Sequence, residues 1–150
     1  MVLGRQLHII VGKRLAEKGW LVEFHVSTKV DGMPVLVVGK IDAVDINNRV
    51  IVELKSSRRV YPEHTMQLEI YRWIMYRNTG YIYSGEIWLI MDNGNKIHRV
   101  KPFLRDIDYT EKWVVNRVKW LLNNINDVEK LRVKNPLCFR CPMRRRCYGI

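Results

Sequence analysis

An α/β sandwich is the fold class this sequence predicts, and three observations predict it. Apolar residues recur at helical spacing in three stretches, and they alternate at strand spacing between those stretches. Turns rich in Gly, Asn and Asp divide the two patterns. A length of 150 residues fits one domain, and 47% hydrophobic against 27% charged residues can bury a core, which excludes a disordered tail. No apolar run approaches the roughly 18–20 residues of a membrane span, and the N-terminus carries no signal-peptide pattern. A soluble, cytoplasmic protein with no membrane partner is therefore expected.

Leu7, Ile10, Val11 and Leu15 follow helical spacing, so residues 3–18 read as an amphipathic helix that Gly19 stops. Residues 20–30 alternate as a strand, Asp31-Gly32 is a hairpin turn, and residues 33–46 continue as a second strand. Asn47-Asn48 turns the chain again, because Asn tolerates the positive φ of a tight hairpin, and residues 49–56 form a third strand. After Pro62, residues 63–77 are helical, with Met66, Ile70, Trp73 and Ile74 on one side, and Gly80 ends the helix. Residues 86–91 and 96–100 form a hairpin around Asn93-Gly94. Asp108 with Glu111 reads as the capping pair of a last helix, made amphipathic by Val114, Val118, Leu121, Leu122 and Ile125. A basic loop follows from Leu131.

The net charge is +11. A surface of this sign attracts polyanions, of which nucleic acid is the commonest in a cell. From Lys130 onward there are seven Lys or Arg and no Asp or Glu, so the excess is concentrated. The three cysteines all lie between Cys138 and Cys147, which suits a metal site rather than a disulfide framework.

A two-residue turn at Asn47-Asn48 makes the numbers of facing residues sum to 95. Asp42 then faces Glu53, and Lys40 faces Lys55, all on one side of the strand pair. Opposed carboxylates repel, and a divalent cation between them turns that repulsion into ligation. A lysine beside them can orient a metal-bound water and stabilise charge developing on a phosphate. Gln67 and Tyr71 share a face of the following helix, where an amide and a phenol can bond phosphate oxygens or catalytic groups. His8 lies between Gly4 and Gly12, one turn away on either side, so other groups can approach its imidazole.

Gly4…His8, Gly39-Lys40-Ile41-Asp42, Glu53-Leu54-Lys55 and Gln67-x3-Tyr71, in this order, resemble the RecB-like branch of the PD-(D/E)XK nuclease superfamily. Cys138-x2-Cys141-Pro142-x4-Cys147 is similar to the tail of the CRISPR-associated Cas-four exonucleases and of the nuclease modules of helicase-nucleases. The resemblance implies a restriction-endonuclease-like core. This would be a central mixed β-sheet of about five strands flanked by helices, with residues 1–130 as the nuclease domain and a cysteine-bearing tail at 131–150. It implies Mg²⁺ or Mn²⁺ held by His8, Asp42, Glu53 and the Leu54 carbonyl, with Lys55 assisting the attacking water and Gln67 and Tyr71 positioning substrate and catalytic groups. In that family a fourth cysteine upstream of the His-bearing helix completes an iron-sulfur cluster, often [4Fe-4S], and this sequence has none. Three alternatives stay open: a late chain start, a non-Cys fourth ligand on iron-sulfur or zinc, or a degenerate site. Arg58, Arg59 and Tyr61 are candidates for phosphate contact and base stacking, and Arg144, Arg145 and Arg146 for DNA contact by the tail.

The expected activity is metal-dependent cleavage of DNA, as an exonuclease on single strands or ends, with CRISPR adaptation proteins or a helicase as implied partners. A Holliday-junction resolvase would share the acidic core, but the His8 helix, the Gln67/Tyr71 pair and the cysteines argue against it. A catalytically idle nucleic-acid-binding protein would have no use for Asp42, Glu53 and Lys55.

Overall fold

The computed structural model describes residues 3–132, 138 and 141–148, and among them five strands and five α-helices. In chain order these are α1 (Leu3–Ala16), β1 (Leu21–Lys29), β2 (Leu36–Asp45), β3 (Val50–Lys55), α2 (Pro62–Thr79), β4 (Ser84–Met91), β5 (Lys96–Val100), α3 (Ile107–Asn124), α4 (Val128–Leu131) and α5 (Arg144–Tyr148). The strands form one sheet in the order β1-β2-β3-β4-β5. All neighbours are antiparallel except β3 and β4, which are parallel. Antiparallel neighbours need only turns, whereas a parallel pair needs a long crossover, and α2 supplies it. The mixed sheet flanked by helices is the architecture expected from the sequence. Among the described residues no helix is long and apolar enough to cross a membrane.

The chain divides into two compact units, Met1–Val114 and Val115–Ile150, with the division inside α3. The first holds the sheet. Leu7, Val11 and Leu15 of α1 form one buried cluster with Ala43, Val52, Leu54, Trp88 and Ile90. Trp20 packs against that cluster, its ring 5.7 Å from the ring of Trp88. Leu68, Tyr71, Trp73, Ile74 and Met75 of α2 are buried as well. The expected stripe is corrected here: Trp73 and Ile74 are buried, but Met66 and Ile70 are only half-buried, and Leu68, Tyr71 and Met75 carry the burial in their place. Glu69 is buried on the same helix and answered by Arg105, whose backbone N–H and guanidinium both donate to it. Burial pushes the Glu69 carboxyl up, but the bonds from Arg105 outweigh it and hold the group below its usual range.

Turns depart from expectation in three places. The β1–β2 connection is longer than Asp31-Gly32: the Val30 N–H donates to the Val35 carbonyl at 3.1 Å, leaving Met33, Pro34 and Val35 in the loop. Gly32 does take a positive φ, of 71°. In the β2–β3 turn the positive φ falls on Arg49, at 54°, and not on either Asn. Asn48 instead closes the turn by donating from its backbone and its amide to the Asp45 carboxylate, at 3.0 and 2.7 Å. The cap of α3 is Asp106, which accepts from the Tyr109 N–H at 2.6 Å. Asp108 does not cap it, and Glu111 pairs with Arg77 at 3.3 Å.

In the second unit the Cys141 N–H donates to the Cys138 carbonyl at 3.2 Å, the turn that a Cys-x2-Cys spacing favours. Cys147 and the exposed Arg144, Arg145 and Arg146 lie on the short α5.

Candidate active site

The β2–β3 ladder keeps the register that sums to 95, pairing Asp45 with Val50, Val44 with Ile51 and Ala43 with Val52. It stops at that last pair, one step before Asp42 and Glu53. On the other side of β2 the ladder with β1 pairs Val22 with Ala43 and Phe24 with Ile41, and skips the step between Glu23 and Asp42. Pairing thus lapses at Asp42 on both sides. A side chain fills the gap on the β3 side: Asp42 Oδ2 accepts the Leu54 N–H at 2.8 Å. Its other oxygen, Oδ1, is 3.6 Å from His8 Nδ1, an ion-pair separation longer than a hydrogen bond. On α1, a side chain at Gly4 would meet Ser56 and one at Gly12 would meet Val22, so the two glycines let the helix lie close to the strands.

Glu53 is 3% exposed. Its Oε1 accepts from Lys55 Nζ at 2.7 Å, while Oε2 is buried without a hydrogen-bond partner. Burial first and the Asp42 charge second push its carboxyl up from 4.5 to about 7, against the opposing pull of Lys55 and His8. Lys55 donates a second bond, to Gln67 Oε1 at 3.1 Å. The Gln67 amide donates to the Tyr71 hydroxyl at 2.9 Å, and that hydroxyl donates to the Lys40 carbonyl at 2.9 Å. Burial and the two carboxylates raise the Tyr71 phenol, against its bonds to Gln67 and Lys40, which keeps it protonated as this donor. Gly39 makes the arrangement sterically possible, since a Cβ there would lie 2.5 Å from the Tyr71 ring. One chain of bonds therefore runs from the backbone of β2 through Tyr71, Gln67 and Lys55 to Glu53.

The structure thus brings Asp42, Glu53, Lys55, Gln67, Tyr71 and His8 into one neighbourhood. From Leu54 it brings the N–H onto Asp42. Among the described residues no three His, Cys, Asp or Glu side chains close around one point. The donor set nonetheless fits a hard divalent cation: a buried carboxylate oxygen without a partner, beside a second carboxylate and an imidazole. The cysteines fit less well, for three thiolates leave a four-ligand centre one donor short. Arg58 and Arg59 are exposed between β3 and α2. The Arg59 guanidinium lies 4.9 Å over the Tyr61 ring, and the His64 ring meets that ring edge-on at 5.3 Å. Arg144, Arg145 and Arg146 belong to the second unit.

Sequence reasoning missed Glu23. It sits within β1 at φ 49°, a left-handed conformation away from any turn, and accepts from Lys40 Nζ at 2.8 Å. Lys40 holds its carboxyl below the usual range. No sequence signal marks this position, since neither Gly nor Asn announces the conformation.

Residues 3–148 match the PD-(D/E)XK nuclease superfamily. Two solved structures are similar in fold. SSO0001 is 21% identical with a TM-score of 0.59, over 79% of this chain and 59% of that one. A candidate exonuclease from Eubacterium rectale is 17% identical with a TM-score of 0.54, over 92% of this chain and 57% of that one. The chain thus spans under two thirds of either protein. No curated protein sequence matches it significantly. With the match running nearly end to end, the chain belongs to the PD-(D/E)XK nuclease superfamily.

Proposed function

We propose that this protein is a divalent-metal-dependent deoxyribonuclease that acts as an exonuclease on single-stranded DNA or DNA ends. The observation that carries this reading is the buried Glu53 Oε2, without a partner and beside Asp42, on a carboxylate whose other oxygen is held by Lys55. Leaving a carboxylate oxygen buried and unsatisfied is costly, and a cation removes that cost. Asp42, Glu53, His8 and the Leu54 carbonyl would hold Mg²⁺ or Mn²⁺. When bound, the ion would supply Lewis acidity at the phosphate and lower the pKa of a coordinated water.

The remaining work falls to the chain's own groups. Lys55 spends two of its three N–H donors on Glu53 and Gln67, which leaves the third for water or a phosphate oxygen. Gln67 presents its carbonyl oxygen to Lys55, which only donates, and its amide N–H to the Tyr71 hydroxyl. Tyr71 anchors this chain to β2, so Lys55 is held before substrate arrives. Arg58, Arg59 and Tyr61 would take phosphates and stack a base beside the site.

The exonuclease assignment draws support from the candidate exonuclease of similar fold. The cysteine spacing supports kinship with the Cas-four exonucleases, with CRISPR adaptation proteins or a helicase as partners. Under this reading the three thiolates form part of an iron-sulfur or zinc staple and take no part in cleavage. End-labelled single- and double-stranded DNA, digested with Mg²⁺ or Mn²⁺, tests the function. Wild type should release labelled ends only with metal, and Glu53→Ala should lose at least about a hundredfold in rate, as loss of a key electrostatic group does. Wild-type cleavage by Glu53→Ala overturns the reading.

A further inference from the structure

Between α1 and the β1–β2 pair lies a cavity of about 500 Å³ that opens beside Asp42, lined by Gly4, Arg5, His8, Glu23 and Lys40. Two cations of its wall, Lys40 and Arg5, act on one carboxylate. Lys40 is hydrogen-bonded to Glu23 at 2.8 Å, and the Arg5 charge also stabilises Glu23. Glu23 reaches this place from a left-handed backbone conformation inside a strand, a strained geometry that collects at functional positions. It is also exposed, so burial does not require the Lys40 pair. An exposed ion pair is itself worth little. A weak, strained pair at the mouth of a cavity next to the proposed cleavage site is one that a stronger anion can exchange.

We infer that this cavity is a phosphate subsite for the substrate strand, in which Lys40 binds a phosphate of DNA and Glu23 occupies Lys40 until that phosphate displaces it. The phosphate is either an internal diester next to the scissile one or the terminal monoester of a strand end. Both present the same oxyanion to Lys40. Glu23 then acts as a built-in competitor that sets affinity. The inference deepens the nuclease reading by naming what enters beside the catalytic groups. Its test reads binding, so that it fails separately from cleavage.

Fluorescence anisotropy of a labelled oligothymidylate, without divalent metal, is measured for wild type, Glu23→Gln, Lys40→Ala and the double variant. Glu23→Gln should bind more tightly by about two- to fivefold, the range of an exposed ion pair released. Lys40→Ala should bind more weakly, and on that background Glu23→Gln should change nothing. Repeating the comparison with a 5′-phosphorylated and a 5′-hydroxyl strand identifies the phosphate. A Lys40→Ala loss confined to the phosphorylated strand marks the terminal monoester, and an equal loss on both marks the diester. Unchanged or weaker binding by Glu23→Gln overturns the inference. Equal tightening with and without Lys40 also overturns it, because it shows only the loss of one negative charge. No measurable binding by any variant does the same. Failure of the nuclease reading looks different: Glu53→Ala would cleave while this binding cycle stood.

Discussion

Burying the Glu53 carboxyl beside Asp42 disfavours its charged form, so the folded protein holds this proton up to about pH 7, above the ordinary value of 4.5. The stability from that bound proton is full below about 4.5 and is lost as the pH rises through about 7. The metal-free protein should therefore lose Tm over that window. Glu53→Gln removes the ionisation and keeps an oxygen for Lys55, so at pH 8 it should raise Tm by about 2–4 °C, the size of a ~1 kcal/mol change in a chain of this length. At pH 4.5 the two proteins should melt together. A Tm for Glu53→Gln at pH 8 below that of wild type would show that the charged carboxylate stabilises the fold. The same substitution should abolish cleavage, a stability gain at the expense of function.

At the scale of elements, β2 decides where the candidate residues meet. Its ladders lapse at Asp42 on both sides, and Tyr71 of α2 reaches its backbone over Gly39. Gly39→Ala places a methyl 2.5 Å from the Tyr71 ring, which must shift. Overpacking of this kind costs about 1–3 kcal/mol, and here it also pulls the hydroxyl from Lys40 and slackens Gln67 and Lys55. We expect a lower urea midpoint and a fall in kcat, and an unchanged midpoint would show that Tyr71 has room to move. Much of this geometry was legible in the sequence. Alternation with the Asn-rich turn gave the register near Asp42 and Glu53, and the ladder keeps it, pairing Val44 with Ile51 and Ala43 with Val52. Helical spacing put Gln67 and Tyr71 on one face. What the sequence did not show depends on tertiary contacts. The α3 cap moved to Asp106, and Glu69 is buried because Arg105 is at hand from a distant loop. The left-handed φ of Glu23 is imposed on a residue with no preference for it.

For the whole molecule, a net charge of +11 makes binding to DNA an exchange of protein cations for counterions. Affinity for single strands should fall steeply with salt, by roughly 0.7 in log–log slope for each phosphate contact. Replacing Arg144, Arg145 and Arg146 by Ala should flatten that slope by up to about 2 if all three touch phosphate. An unchanged slope would show that these three arginines do not contact the strand. The joint claim on Asp42 and Glu53 is tested most directly by titrating the whole chain with Mn²⁺ in a calorimeter at pH 6 and pH 8. Wild type should bind Mn²⁺ more weakly at pH 6 and release a proton as it does so, because the ion must displace the proton that burial keeps on Glu53. Glu53→Gln should show neither the binding nor the proton release. Equal Mn²⁺ binding by wild type and Glu53→Gln, with no proton released at pH 6, would contradict it.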